Sequence, residues 1–223
     1  MIHNKWYNLV WCIILWMCVS NFAAAQYTSI RPLLKEGDIL FQQLNGGELS
    51  QAIDKVTRGY HGHDYNHCAL VVRVNDTLQV VEAIGAKVHL SSIETFESRC
   101  SQSNILIGRL KPVYKRLIPK IVKAALKAQG VPYDDYFEMN NGKLYCSELV
   151  YEAFKTANNG KPFFRLQPMT FKDPDTHCFF PAWVSYYQSL HYPIPQHKLG
   201  INPGLLSRSP KINIVEIPHS KNQ

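Results

Sequence analysis

The sequence predicts an α+β domain, with a mainly antiparallel sheet or small barrel packed against helices. Three observations carry that expectation. Short apolar runs are parted by turn residues: Asn75-Asp76 separates Cys68–Val74 from Leu78–Ala83 and implies a hairpin. Other stretches repeat apolar residues at helical spacing, as do Leu49, Ala52, Ile53 and Val56. There are no internal repeats or low-complexity linkers, so residues 26–223 suit a single domain with length enough for a core.

The elements follow in order. Gly37-Asp38 is a turn ahead of a short buried strand, Ile39-Leu40-Phe41. Glu48 to Thr57 is a helix that stops near Gly59. A polar loop rich in Gly and His, Arg58 to Asn66, leads into the hairpin. Val88-His89-Leu90 is a short third piece, and Ser91-Ser92-Ile93-Glu94 offers a capping box for a short helix ending near Arg99. Ile105 to Leu110 is another strand. Pro119 to Gln129 is a helix with Pro at its start and Gly130 just past its end. After the turn Asn140-Asn141-Gly142 comes a helix headed by Cys146, with Leu149, Val150, Ala153 and Phe154 as its apolar face. Beyond Phe164 prolines break the pattern. This tail is expected to wrap the domain surface, anchored by Phe171, Phe179, Phe180, Trp183, Tyr186 and Tyr187, and it is too aromatic to be disordered.

The first 25 residues have the form of a signal peptide. Lys5 supplies a positive start, Trp6 to Val19 an apolar stretch, and Ala23-Ala24-Ala25 a small-residue cleavage signal, so the mature chain would begin at Gln26. The apolar stretch is short for a membrane span of about 20 residues. A lipoprotein signal at Cys18 is disfavoured by the bulky Met17 before it. The protein is therefore expected to be exported, periplasmic or extracellular. Cleavage would leave four of the six cysteines, Cys68, Cys100, Cys146 and Cys178. Exported proteins usually pair their cysteines. Cys100 and Cys178 could do so, and no zinc-type spacing occurs. The formal net charge is +7, and the densest basic group is Lys111, Lys115, Arg116, Lys120, Lys123 and Lys127. A solvated helix face accounts for that group more simply than a phosphate-rich lipid or anionic polymer does. No nucleic-acid motif is present.

The chemistry centres on Cys146. A thiol at a helix start feels unpaired backbone N–H groups, which favour the thiolate, and the thiolate is the nucleophile. The candidate partners lie on the hairpin. His67 enters the first strand and is the candidate general base. A metal site shared with His61 and His63 is the alternative, though the spacing is loose. Glu82, on the returning strand among Val80, Val81, Ala83 and Ile84, is the candidate orienter of the His67 ring. The Cys146 backbone N–H would stabilise an oxyanion, helped by Tyr133 or Gln42. Strand alternation puts Cys68 on the opposite face from His67, which predicts a core residue and not a second nucleophile.

Taken in order, the motifs Glu36-Gly37-Asp38-Ile39-Leu40-Phe41-Gln42, Asn66-His67-Cys68-Ala69-Leu70-Val71-Val72, Val81-Glu82-Ala83, Gly130-Val131-Pro132-Tyr133-Asp134 and Leu144-Tyr145-Cys146-Ser147-Glu148-Leu149-Val150 resemble the YiiX/YebB-like group. These are circularly permuted members of the NlpC-type papain-like superfamily, with the histidine strand ahead of the cysteine helix, as here. The resemblance implies a permuted papain-like fold and a Cys–His–acid thiol hydrolase that forms an acyl-enzyme. Its substrate would be an amide in cell-wall peptides or a small aminoacyl compound. No metal or organic cofactor is implied. Two alternatives stay open: a lipid acyl-hydrolase or acyltransferase, and a non-catalytic peptide- or lipid-binding module. Asn66 and Cys68 depart from the group, which often has Ser or Tyr before the histidine and a small or aliphatic residue after it.

Overall fold

The computed structural model describes residues 29–100 and 104–217. The leader and the start at Gln26 lie outside the described residues. Among those described, no helix is long and apolar enough to cross a membrane.

Six antiparallel strands form the main sheet. They are β1 (Ile39–Gln42), β2 (His67–Val74), β3 (Thr77–Ile84), β4 (Lys87–Ser92), β5 (Ile105–Leu110) and β8 (Ile212–Val215), in spatial order β4-β3-β2-β1-β5-β8. Asn75 and Asp76 both take positive φ, 47° and 60°, which matches the right-handed twist of the hairpin they close. The register opposite that turn is Val74↔Thr77, and the ladder between β2 and β3 runs only as far as Leu70↔Val81. His67, Cys68 and Ala69 therefore lie beyond the end of that ladder.

Alternation gives the sheet two apolar faces. One face carries Phe41, Cys68, Leu70, Val72 and Val81. It packs on α3 (Ile118–Lys127) and α4 (Cys146–Ala157), where Ile121, Ala125, Leu149, Val150 and Phe154 complete the main core. The other face carries Leu40, Ala69, Val71 and Val80, covered by Ile93 and Phe96 of α2 (Ile93–Glu97) and by Ile30. Ser92 caps α2 by accepting from the Thr95 N–H, so the third position of the expected capping box is Thr95. Glu94 pairs with Arg31 instead.

The tail does more than wrap the surface. It contributes the edge strand β8, a two-strand ribbon of β6 (Gln167–Pro168) and β7 (Leu199–Gly200), and the helices α5 (Pro181–Ser189) and α6 (Pro203–Ser207). Phe171, Trp183 and Tyr187 form a third buried cluster with Ala52 of α1 (Gly47–Val56). The prolines that hid these helices sit at their first positions, where the missing N–H costs nothing. Gly204 lets α6 reach the end of α1: a Cβ there would lie 1.7 Å from the Thr57 carbonyl oxygen. The basic group lies along α3 and the short 3-10 turn before it, with Lys115, Arg116, Lys120, Lys123 and Lys127 exposed.

Candidate active site

The head of α4 meets the start of β2. Cys146 is the first residue of α4, and Tyr145 before it makes no side-chain cap, so the helix's leading N–H groups stay unclaimed by a cap. Cys146 is 6 % exposed and packs in the main core. His67 is 3 % exposed, with its ring 6.2 Å from that of Phe96. Its Nε2 meets Glu82 Oε2 at 2.7 Å. Nδ1 is the ring nitrogen left for the Cys146 thiol.

Glu82 is fully buried, and its two oxygens accept from Arg99 Nη2 at 2.7 and 2.9 Å. The result is a chain of charge, Arg99–Glu82–His67–Cys146. Its electrostatics are consistent from end to end. Burial opposes a charged Glu82, but the His67 and Arg99 partners outweigh it and hold the carboxyl at about 2. Burial likewise pushes His67 down, yet hydrogen bonds to Cys146 and Glu82 and their charges lift it to about 9. The Cys146 thiol is held well below its ordinary value, first by a hydrogen bond from Cys68 and, against burial, by His67 and the Cys68 backbone N–H. Both shifts run in the direction that favours a thiolate beside an imidazolium.

Cys68 is a core residue, as alternation predicts, and it also adjoins Cys146. Alternation holds: Cys68 shares the main core with Phe41 and Leu70, while the His67 ring lies against Phe96. The helix headed by Cys146 packs on that same core face, so Cys68 becomes the neighbour of Cys146. Burial and the Cys146 charge keep the Cys68 thiol protonated and hence a donor.

Tyr133 lines the cleft over Cys146, and burial together with the Cys146 charge keeps its hydroxyl neutral. Gln42 pairs with His67 in the β1–β2 ladder and lies on the same face of the sheet as the His67 ring, but it does not line the cleft. Its Nε2 donates to the Phe96 carbonyl and lies 3.3 Å from Cys100 Sγ. His61 and His63 stack on Tyr60 and Tyr65, and among the described residues no cluster of His, Cys, Asp and Glu is arranged to hold a metal ion. Cys68, Cys100, Cys146 and Cys178 are all free thiols, so the possible Cys100–Cys178 bridge is not formed.

Two parts of the site carried no usable sequence signal. Arg99 follows a short helix that nothing marks as facing Glu82. Trp183 and the other tail residues that wall the cleft are distant from Cys146 in the chain.

A buried cysteine at a helix start, facing a strand histidine held by a carboxylate, on an antiparallel sheet, defines the papain-like class of fold and site. Here the histidine strand comes first, which is the permuted order. Residues 33–216 match the family described as permuted papain-like amidase enzymes, YaeF/YiiX, C92 family, and the chain belongs to that family. The Escherichia coli K12 protein called "Uncharacterized protein YiiX" is 27 % identical over 122 residues, 54 % of this chain and 57 % of that protein. The match thus spans little more than half of that relative's length. The crystal structure titled "metalloprotein yiiX", from Escherichia coli O157:H7, superposes with a TM-score of 0.67 at 22 % identity. That superposition covers 82 % of this chain and 96 % of that one, a likeness of fold.

Proposed function

We propose that this protein is an exported thiol amidase, acting on an amide in a cell-wall peptide or small aminoacyl compound. The single observation that carries the reading is the buried chain Arg99–Glu82–His67–Cys146, which keeps a thiolate and an imidazolium side by side. Cys146 attacks the amide carbonyl carbon. The α4 N–H groups and the neutral Tyr133 hydroxyl face the developing oxyanion. His67 gives its proton to the leaving amine, and the C–N bond breaks. Water then attacks the thioester with His67 as base, releasing the acid and restoring the thiolate. Glu82 holds the ring and stabilises its charge throughout. Export rests on the leader-like residues 1–25.

The test is to incubate the mature chain with muropeptides and with phospholipid vesicles and to follow the products by mass spectrometry. Amide cleavage that vanishes in Cys146→Ala supports the reading. Amide cleavage that persists in Cys146→Ala, or none from any amide tried alongside rapid phospholipid deacylation, would overturn it. A binding module has no need of an activated thiol. Alkylation of Cys146 at mildly acidic pH therefore separates enzyme from binder.

A further inference from the structure

The hydrolysis proposed for Cys146 uses one thiol, and the fold sets a second beside it. Cys68 is the second residue of β2, fully buried, and pairs with Phe41 in the ladder to β1. Alternation turns its side chain to the face on which α4 docks, and Cys146 heads that helix. There the Cys146 sulfur accepts from both the Cys68 thiol and the Cys68 backbone N–H. The other two thiols among the described residues stand apart from this pair. Cys100 packs with the cluster on the opposite face of the sheet, against Gln42, and Cys178 is exposed in the tail.

The two thiols differ in the ways that matter for oxidation. Cys146 lines the cleft, whose volume of about 270 Å³ is several times the roughly 30 Å³ that one water occupies. A small hydroperoxide therefore fits against its sulfur. The helix start and His67 favour the thiolate there, and the thiolate is the form that peroxide oxidises. Cys68 is absent from the cleft lining, and burial together with the Cys146 charge holds its proton in place. Access and charge thus send the oxidant to Cys146 and leave Cys68 reduced beside it. Oxidation of Cys146 also removes a charge that raises Cys68, so the second thiol is eased toward reaction by the event it answers.

We propose that Cys68 is a resolving thiol, which closes a reversible disulfide with Cys146 when a hydroperoxide oxidises it and so switches the site off. The oxidant is a hydroperoxide, and each step balances. The Cys146 thiolate attacks the peroxide, an S–O bond forms as the O–O bond breaks, and the leaving oxygen takes the His67 proton as water or alcohol. Cys146 is oxidised by two electrons to a sulfenic acid, and the peroxide is reduced. The Cys68 sulfur then attacks the Cys146 sulfur. The S–S bond forms, the S–O bond breaks, and the hydroxyl leaves with the Cys68 proton as water. Turnover stops because the attacking sulfur is tied up. The sulfenic acid is consumed before a second peroxide can carry it to the irreversible sulfinic acid. A dithiol reductant returns both thiols by exchange. The inference draws on the activated Cys146 of the amidase reading and not on the substrate.

The test treats the folded, reduced mature chain with hydrogen peroxide, digests it with trypsin without reductant, and reads the peptides by mass spectrometry. Trypsin places Cys68 in Gly59–Arg73 and Cys146 in Leu144–Lys155, each the single cysteine of its peptide. The expected product is these two peptides joined with the loss of two hydrogens. Alkylation of Cys146 by iodoacetamide should fall by about tenfold on oxidation and return with dithiothreitol. In Cys68→Ala, and in Cys68→Val, which refills the core, the fall should not be reversed, and the Cys146 peptide should gain two oxygens. The linked peptide is read in the unaltered chain, so the test does not depend on how either variant folds. Oxidised Cys146 without the linked peptide, a link from Cys146 to Cys100 or Cys178, or recovery of the Cys68 variants equal to the unaltered chain overturns the proposal. The linked peptide in a chain that cleaves no amide would leave this inference standing and sink the amidase reading. Amide cleavage without the link would do the reverse.

Discussion

Glu82 and Glu148 are equally hidden, 0 % and 1 % exposed, and they end in opposite ionisation states. Glu82 lies where β3 leaves β2, with the His67 ring on one side and Arg99 on the other, and it ionises at about 2. Glu148 lies in the first turn of α4. There it accepts from the Asn140 N–H, and its second oxygen has no partner. Burial first, then the charges of Asp134 and Glu152, push it up to about 8. Burial is common to both, so partners decide the charge. The carboxylate with cationic partners serves the imidazolium. The one without them stays protonated through neutral pH, and the helix dipole at its own N-terminus does not overcome desolvation.

The largest test of this contrast is removal of Glu82. Glu82→Ala strips the partner from His67 and Arg99 together. We expect a loss of about 10²–10⁴-fold in kcat/KM and a destabilisation of about 3–5 kcal/mol, read by steady-state kinetics and urea melts. Glu82→Gln keeps a hydrogen bond and should fall well short of that loss. Equal damage from both variants would deny the carboxylate its electrostatic role.

Glu148→Gln should act in the reverse sense, stabilising the protein. The folded state holds this proton up to about pH 8, while an unfolded chain releases it near 4.5. Folding therefore loses stability as pH rises between those values. The variant's gain should be small at pH 4.5, grow to on the order of a few kcal/mol by pH 8, and stay constant above. Glu82 has the opposite sign. Its contribution is complete above 4.5 and is lost as pH falls toward 2. His67, raised to about 9, contributes fully below 6.5 and loses its share as pH climbs through 9. The three groups together place maximal stability near pH 5, and thermal melts across pH 3–10 measure it. Turnover should decline above about pH 9, where His67 no longer carries the proton that the leaving amine needs.

Smaller effects sharpen the picture. Cys68→Ala should leave a working enzyme. It should also move the pH of half-maximal Cys146 alkylation upward, because a donor to the thiolate is gone. An unchanged alkylation profile would return Cys68 to a plain packing role. Arg99→Met should cost least, a few-fold in kcat/KM. Glu82 keeps its His67 partner, and Arg99 is partly solvated, its side chain 22 % exposed.

Much of the frame was legible because it depends on near neighbours in the chain. The hairpin turn, the strand Ile105–Leu110 and the helix headed by Cys146 appear where the sequence predicts them. The tail was less legible. Pro181 and Pro203 read as interruptions but begin helices, and β8 pairs with β5 across about a hundred intervening residues. In the site, Cys146, His67, Glu82 and Tyr133 are brought together. Gln42 pairs with His67 but stays out of the cleft, because its amide N–H is taken by the Phe96 carbonyl.

The sequence by itself determined the period of the regular elements before Phe164, the cysteine that heads α4, and the alternation of side chains between the two faces of each strand. Those are consequences of backbone geometry over a few residues. Tertiary structure alone decided that α4 docks on the Cys68 face, that Arg99 closes on Glu82, and that Trp183 and Arg208 shape the cleft. Each of these joins residues far apart in the chain. Their juxtaposition is set by which apolar surfaces bury against one another, and charges as deeply buried as Glu82 ionise only once that packing has brought their partners to them.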